Sequence, residues 1–350
     1  MAYRTVYPIP TEIFGWQCQH NSLQNQLAKG VRYLDLRLEH RHNKFRLHHG
    51  LARLDFNFTQ VIQILEQFFE GSPDETLIIR MACNNCHDNS GRKGHNRNTR
   101  EFWDTMQWYL EMNPNTKDFA KRIYMGDGIP TLGEVRGKVI PLQANAGGDV
   151  PGFFRWTDTS KLIVQDDWEP QGGKFWRKKV QTIKDFFKMV LGIKHPHITP
   201  GAAVPPLTIN HFTMAHWFWW GPQRITKYVW KKLYNDVKFK WDNGGGHPMG
   251  AVILDFATEA VTRPIVEKNW LERGAMEGHW DEIDWQWERW NNGWKQDKEK
   301  MGKRDLDGEV PAELEGVWPE EPEEEELEDM WPLESEPEDF DDLEGLWASE

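Results

Sequence analysis

Cysteine is scarce in this sequence, with three residues in 350. A small and odd number of cysteines excludes a disulfide framework and is more typical of a reducing compartment. No apolar run approaches the roughly 18 residues that a membrane-spanning helix needs, and the N-terminal residues lack the basic start and long apolar stretch of a signal peptide. The compartment stays open, with a cytoplasmic or membrane-peripheral location as the expectation.

Lysine and arginine are absent from residues 309–350, which contain 19 of the 55 acidic residues. The rest of the chain has 36 acidic residues against 42 basic ones, so the net charge of −13 combines a body near +6 with a tail near −19. A mildly basic body suits anionic substrates or membrane surfaces. The acidic, proline-containing tail can bury too little to offset chain entropy, which predicts disorder. Its isolated tryptophans, such as Trp318 and Trp331, fit either a docking element for a protein partner or a plain solubilising tail.

Short apolar runs rich in branched residues alternate with segments of helical period from residue 31 onward. This pattern is typical of strand and helix units that build a mostly parallel α/β sheet. Strands are predicted at 31–38, 45–49, 76–82, 138–143, 162–165, 207–210 and 252–256, and helices at 58–69, 99–112, 174–191, 223–237 and 263–271. Seven strands are one short of a closed eight-stranded barrel.

The pattern changes after residue 269, where Ile283, Trp287, Trp290 and Trp294 recur at helical spacing. This stripe fits a helix that packs on the preceding domain or one that contacts a membrane interface. The predicted organisation is therefore a catalytic-type domain at 1–272, a tryptophan-rich helical extension and linker at 273–308, and the acidic tail at 309–350.

Charged residues on two neighbouring predicted strands carry the main chemical signal. Strand alternation puts Asp35 and Arg37 on one face, while Leu34 and Leu36 point the other way. In a barrel, that face is the interior, and the strand ends form the active-site rim. Arg37 can donate a planar pair of hydrogen bonds to a phosphate, and His49 at the end of the next strand can donate a proton to a leaving alkoxide. The alternative interpretation is a structural ion pair beside a core histidine.

These residues also carry a resemblance. The segment 19–37, followed by Leu47-His48-His49-Gly50, resembles the X region of the phosphatidylinositol-specific phospholipases C, in the small bacterial branch. Further similar segments follow in the same order, at 68–76, 130–138, 164–166, Asn210 and 254–256. The likeness runs over 254 of the 350 residues, from Trp16 to Asn269.

The resemblance implies a distorted (β/α)8 TIM barrel that cleaves without a metal ion or other cofactor, by attack of the inositol 2-hydroxyl on phosphorus. It implies that His49 is the general acid, that Arg37 neutralises the phosphate, and that Asp35 orients this site. Asp255 would pair with the general base. The remaining implied substrate-binding residues are Arg136 and Asp166, for inositol hydroxyls, and Trp168, against the ring. The implied partners are a phosphoinositide or related phospholipid and a membrane surface, with no nucleic acid.

One family element has no match in the sequence. The family's general base is a histidine in a Gly-Thr-His element on the first barrel strand, and the sequence contains no such element, so the barrel is expected to lack its first strand. His20 resembles part of it, but an ungapped match through Gln26, Gly30 and Asp35 puts His20 at a different position. Either the sequence is truncated at its start, which is the favoured explanation, or the protein is an inactive relative that binds inositol phosphates or membranes.

Three competing signals remain. Cys83, Cys86 and His87 match the pattern for covalent haem attachment, or for half a zinc site, but the motif is short and stands alone. The aromatic run 217–220 fits either a membrane-contacting loop at the barrel rim or packing under a helix. Metal-dependent glycerophosphodiesterase chemistry would need further carboxylates at the early strand ends, where the chain has Arg37.

Overall fold

The computed structural model describes residues 18–19, 21–49, 52–83, 96–144, 150–168, 175–192, 205–214 and 250–257, with single positions between 222 and 266. The tryptophan-rich extension at 273–308, the tail at 309–350 and the aromatic run 217–220 lie outside these residues and stay predictions. The domain division proposed from the sequence likewise stays a prediction. Within the described part of the chain, no helix is both long and apolar enough to cross a bilayer.

Two β-sheets form the framework of the described residues. One has six strands in the order β3-β2-β1-β4-β5-β6, and the other has three in the order β7-β8-β9. The bounds are β1 Tyr33–Arg41, β2 Lys44–His49, β3 Ala52–Asn57, β4 Thr76–Cys83, β5 Lys138–Ala144, β6 Phe154–Arg155, β7 Leu162–Gln165, β8 Leu207–His211 and β9 Ala251–Ile253. The neighbours β1-β4-β5-β6 and β7-β8-β9 are parallel, so their carboxyl ends lie on the same edge of each sheet.

Helices connect most of the parallel strands. They are α1 Leu23–Ala28, α2 Phe58–Gly71, α3 Phe102–Glu111 and α4 Phe175–Gly192, with short 3-10 helices at Lys117–Arg122 and Leu132–Val135. Helix α2 begins after Asn57, whose side chain accepts from the backbone of Gln60 while the Gln60 side chain accepts from Asn57, a capping box. The predicted apolar face of α2 is confirmed, since all five residues assigned to it are buried: Val61, Ile62, Leu65, Phe68 and Phe69.

The two faces of β1 have opposite character, as the alternation predicts. Leu34, Leu36 and Leu38 are buried in the core cluster that includes the apolar residues of α2. Burial of each leucine contributes about 1.5–3 kcal/mol to the stability of the fold relative to an exposed leucine. A shift of one residue would expose all three, so the register of β1 is strongly fixed. Asp35 and Arg37 are therefore held on the other face.

The predicted strand at 45–49 is present, but it is not a parallel barrel strand. Strand β2 returns antiparallel to β1 through a two-residue turn at His42 and Asn43, which both adopt a φ of 54°. Positive φ at both central residues is the geometry of a type I′ hairpin turn. Strand β3 extends this antiparallel excursion, and both β3 and the two-residue β6 were missed by the sequence pattern. Strand β3 was missed because it forms by pairing with the preceding strand, β2. Strand β6 was missed because two residues are too few to show a period of two.

Candidate active site

Asp35 is the centre of a charged cluster on the polar face of β1. Its Oδ2 atom accepts from Arg37 Nη2 at 3.1 Å, from Arg37 Nε at 3.3 Å and from Arg80 Nη1 at 2.9 Å. The parallel register pairs Asp35 directly with Arg80 on β4, which brings the second guanidinium beside the carboxylate. One carboxylate therefore organises two arginines.

The two arginines decide the charge of Asp35. Burial alone raises the pKa of this carboxyl, but the Arg80 and Arg37 guanidiniums together outweigh burial and hold its pKa well below the usual range. The side chain of Arg80 is 4% exposed, and its guanidinium lies over the Trp156 ring at 4.3 Å from the ring centre. The cluster thus has two cationic groups and one anionic group, and it retains positive charge for an anionic ligand.

Four polar atoms around this cluster are buried and have no hydrogen-bond partner among the described residues. They are Tyr33 Oη, Asp35 Oδ1, Arg80 Nε and His211 Nε2. Leaving such an atom unpaired costs about 1–3 kcal/mol, and most proteins avoid it. Their convergence around Asp35 indicates a place where a polar ligand supplies the missing hydrogen bonds.

His49, the predicted general acid, is at the end of β2 and contacts Cys18. The distance from Cys18 Sγ to His49 Nδ1 is 3.7 Å, and the Cys18 thiol also hydrogen-bonds Asp255. Cys18 reaches this position because its carbonyl accepts from Phe256 N at 2.7 Å, just beyond β9. Burial, with the nearby Asp255, raises the pKa of the Cys18 thiol, so the group is a neutral donor.

The Asp255 carboxyl is close enough to Asp35 for the two charges to act on each other. Burial raises the pKa of Asp255 to about 6, and the Asp35 carboxylate adds to this increase. The structure therefore brings three of the predicted residues into one region, with Cys18 as the link: Asp35, His49 and Asp255.

Asp166 follows β7 and faces a histidine that the sequence analysis did not single out. Asp166 Oδ1 is 3.4 Å from Nδ1 of His211, the last residue of β8. Asp166 also acts on Arg37, whose pKa is raised by Asp35 first and by Asp166 to a smaller degree. Trp168 donates its backbone N–H to the Asp166 carbonyl at 3.1 Å, and its side chain is 54% exposed, as a ring at the rim of a site would be.

A buried lysine supports the strand end that carries Asp166. Lys179 on α4 donates to the Asp167 carbonyl and to Gln165 Oε1, the latter at 3.3 Å. Gln165 in turn donates to Asn210 Oδ1 at 2.8 Å, which ties β7 to β8. Burial lowers the pKa of Lys179 to about 8 against the raising effect of Asp167 and Asp166. These hydrogen bonds fix the ends of β7 and β8 relative to each other, and hence the positions of Asp166 and His211.

Arg136 is not brought together with the other predicted residues. It is exposed and precedes β5, at the amino end of that strand, where it acts on Glu75 at the amino end of β4. Asp166 and Asp255 follow the carboxyl ends of β7 and β9, and the register places Asp35 level with Leu142 of β5, six residues along the chain from Arg136. An arginine at the opposite end of a parallel sheet cannot contact the same small ligand, so we leave Arg136 out of the site.

The residues missed by sequence reasoning are Arg80, His211, Tyr33 and Trp156. Arg80 was hidden inside an apolar run, and the only available signal was a charge on the strand next to Asp35. Among the described residues, no group of three or more histidine, cysteine, aspartate or glutamate side chains could hold a metal ion. Cys83, one of the three residues in the haem or zinc motif, is disulfide-bonded, which occupies its sulfur.

Comparison with known proteins identifies the early part of the chain. Residues 7–143 match the model of the family described as phosphatidylinositol-specific phospholipase C, X domain. The matched segment has 137 of the 350 residues. It includes β1, β2 and β4, and hence the cluster of Asp35, Arg37 and Arg80 with His49.

Individual relatives agree with this result. Over 129 residues, the chain is 29% identical to a 1-phosphatidylinositol phosphodiesterase of Listeria monocytogenes, an overlap of 37% of this chain and 36% of the relative. The chain thus matches about a third of that relative's length.

Solved structures extend the likeness beyond the X domain. The phosphatidylinositol-specific phospholipase C of Listeria monocytogenes has a TM-score of 0.57 at 21% identity, over 74% of this chain and 85% of that one. A phosphatidylinositol-specific phospholipase C of Staphylococcus aureus has a TM-score of 0.58 at 17% identity, over 75% and 88%. The predicted TIM-barrel class is confirmed by these likenesses, although the described strands form two sheets with no closed barrel among them.

Proposed function

We propose that this protein is a phospholipase C-type enzyme that cleaves the glycerophosphate bond of phosphatidylinositol or a closely related phospholipid at a membrane surface. The observation that carries the proposal is the pair of guanidiniums, Arg37 and Arg80, held on one partly buried carboxylate within the matched segment. Two fixed cations beside unpaired donors suit a phosphodiester, because they balance charge that builds up on its oxygens during displacement.

The proposed reaction is attack of the inositol 2-hydroxyl on phosphorus, which forms a cyclic inositol phosphate and releases diacylglycerol. Arg37 and Arg80 neutralise the phosphoryl oxygens, and Asp35 orients both. His49 protonates the departing glycerol oxygen, and the neutral Cys18 thiol and Asp255 hold the position of that imidazole. Trp168, half-exposed beyond β7, covers the inositol ring or the lipid surface.

A second function, binding without turnover, is favoured by one observation. Asp255, the residue implied to pair with a general-base histidine, hydrogen-bonds a thiol in this structure. A neutral thiol with a raised pKa is a poor proton acceptor. In that case, the same pocket would bind inositol phosphates or membranes and leave the lipid intact.

Product analysis separates the two functions. Vesicles of phosphatidylinositol, with phosphatidylcholine vesicles as the control, are incubated with the full chain and the water-soluble products are followed by phosphorus NMR. We expect the signal of cyclic inositol phosphate from the first vesicles alone, unchanged by a chelator because arginines already neutralise Asp35. Vesicle binding with no soluble phosphate product would support the binding function and refute the enzyme proposal.

The role of His49 has a matched control in the neighbouring residue. His48 is also a β2 histidine, but it is buried, whereas His49 is partly exposed. We expect His49→Gln to lower turnover by about 10² to 10⁴, the usual contribution of a general acid, and His48→Gln to retain activity if the protein stays folded. Equal losses in two folded variants would contradict the assignment of His49.

A further inference from the structure

His211 is a buried imidazole that is held from one side only. Its side chain is 4% exposed. Nδ1 is 3.4 Å from both Asp166 Oδ1 and Thr213 Oγ1, and the edge of Trp156 faces the ring at 5.9 Å between centres. Nε2 is buried and has no hydrogen-bond partner within the part of the chain that the structure describes. A ligand that donates a hydrogen bond to this nitrogen would satisfy it.

Charged groups from four elements face the His211 ring. Burial lowers the pKa of His211 to about 4, against the raising effects of Asp166 and Asp35. The cationic groups that also lower it are Arg80 on β4 and Lys179 on α4. The imidazole is consequently neutral near pH 7. With its one proton on Nδ1, directed to Asp166, the free lone pair is on Nε2.

The charged cluster around Asp35 lies close to the His211 ring, because the Trp156 ring is 4.3 Å from the Arg80 guanidinium and 5.9 Å from the centre of the His211 ring. Arg80 and Asp35 act electrostatically on His211, and each has its own buried atom without a partner, Nε and Oδ1. Asp35 acts in turn on Asp255 and on the Cys18 thiol, which is 3.7 Å from His49 Nδ1. The cluster around Asp35 is thus linked to a proton donor, His49, through Cys18, and to a proton acceptor, His211, through the Trp156 ring.

From this geometry we propose that His211 is the general base of the reaction and that Asp166 is its positioning residue. The inference rests on the proposed function and adds to it a group that the sequence resemblance did not identify. The proposal also gives Asp166 a role different from the inositol contact that the resemblance implies.

The proposed step balances without any further reactant. The proton of the attacking inositol hydroxyl moves to His211 Nε2 while its oxygen forms a bond to phosphorus. The bond between phosphorus and the glycerol oxygen breaks, and that oxygen takes a proton from His49. The imidazolium of His211 is stabilised by Asp166, and return of a proton from His211 to His49 through water restores the enzyme.

Two substrates with different leaving groups distinguish an acid from a base. The nitrophenolate group of nitrophenyl inositol phosphate has a low pKa and departs without being protonated. Cleavage of this substrate therefore does not need the general acid, but it still needs the general base. We expect His49→Gln to lose about 10² to 10⁴ in kcat/KM on phosphatidylinositol but to stay within about tenfold of the wild type on the nitrophenyl substrate. His211→Gln should lose about 10² to 10⁴ on both.

A positioning role for Asp166 predicts a separate signature. Asp166→Asn removes the carboxylate that raises the pKa of His211, so the acidic limb of the kcat/KM profile should move to lower pH. Asp166→Glu should restore part of the activity.

The matched control for these variants is His40→Gln. His40 is a buried histidine that hydrogen-bonds Thr105 Oγ1 at 2.9 Å, and it lies on the opposite face of β1 from Asp35. Urea unfolding of every variant identifies any loss that comes from misfolding.

The outcomes separate this inference from the proposed function. If folded His211→Gln stays within tenfold of the wild type on both substrates, the role of His211 is refuted while the phospholipase function stands. Recovery of His211→Gln on the nitrophenyl substrate would also refute it, because that result is the behaviour of an acid. If the wild-type chain turns over neither substrate, the proposed function fails and the general base fails with it.

Discussion

Removing Arg80 tests whether the buried cluster is coupled as the distances indicate. Arg80 Nη1 and Asp35 Oδ2 are 2.9 Å apart, with side-chain exposures of 4% and 21%. Two unit charges about 4 Å apart attract by about 4 kcal/mol at an effective dielectric constant of 20. Loss of one partner from a buried pair costs about 3–5 kcal/mol, because the other charge stays desolvated. We therefore expect Arg80→Met to lower the free energy of unfolding by about this amount at pH 7.

The double variant is the decisive control. Asp35→Asn combined with Arg80→Met leaves neither charge behind, so its loss should be smaller than the sum of the two single losses. We expect a coupling energy of about 1–3 kcal/mol from urea unfolding of the four proteins. Because Arg37 also binds Asp35 at 3.1 Å, part of the charge stays balanced in the single variant. Additive losses would show that the two side chains do not interact, and the account of the phosphate site would then be wrong.

Further predictions concern stability. Asp255→Asn should raise the free energy of unfolding above pH 6 by about 1–3 kcal/mol, because a buried carboxyl whose pKa is raised to about 6 destabilises the fold where it is ionised; the gain should disappear towards pH 4 in urea titrations. His211 is kept neutral by a pKa lowered to about 4, so wild-type stability should fall as pH drops from 6.5 to 4, and a slope as steep in His211→Gln would contradict this. Gly137→Ala should cost at least about 1 kcal/mol, since φ is +70° and a Cβ would lie 2.6 Å from the Pro73 carbonyl; an unchanged melting temperature would contradict it.

The apolar periodicity was sufficient to predict most of the framework. Leu34 and Leu36 alternate with Asp35 and Arg37, and burial of one face dictates where the other face points. The apolar stripe of α2 was equally informative, and its end was missed by two residues because Glu70 and Gly71 are exposed and lie outside that stripe. In these segments the apolar pattern of the sequence matches the burial in the structure, so the sequence alone is sufficient to predict the element and its buried face.

Pairing between distant strands could not be predicted in the same way. Arg80 is in the middle of an apolar run, and only the parallel register of β1 and β4 puts it beside Asp35. His211 follows Asn210, and the register of β7 and β8 brings it to Asp166. Partners of this kind depend on which strands are neighbours in the sheet. The local sequence around each residue does not show which strands these are.

Arg136 shows the reverse case, a residue that the resemblance assigns to the site and that the fold separates from it. Its sequence context resembles the family, yet it comes before β5, whereas ligands of parallel α/β barrels bind beyond the carboxyl ends of the strands. The strand prediction at 138–143 already held this information. Chain direction was a better guide to the site than the similarity of the surrounding residues.

A crystal structure of the full chain with a bound cyclic inositol phosphate tests the central claim most directly. We predict that the phosphoryl oxygens lie within hydrogen-bond distance of the guanidiniums of Arg37 and Arg80. His49 and His211 Nε2 should lie on opposite sides of phosphorus, as in-line displacement requires. A ligand bound elsewhere, or two imidazoles on the same side of the phosphoryl group, would contradict the account.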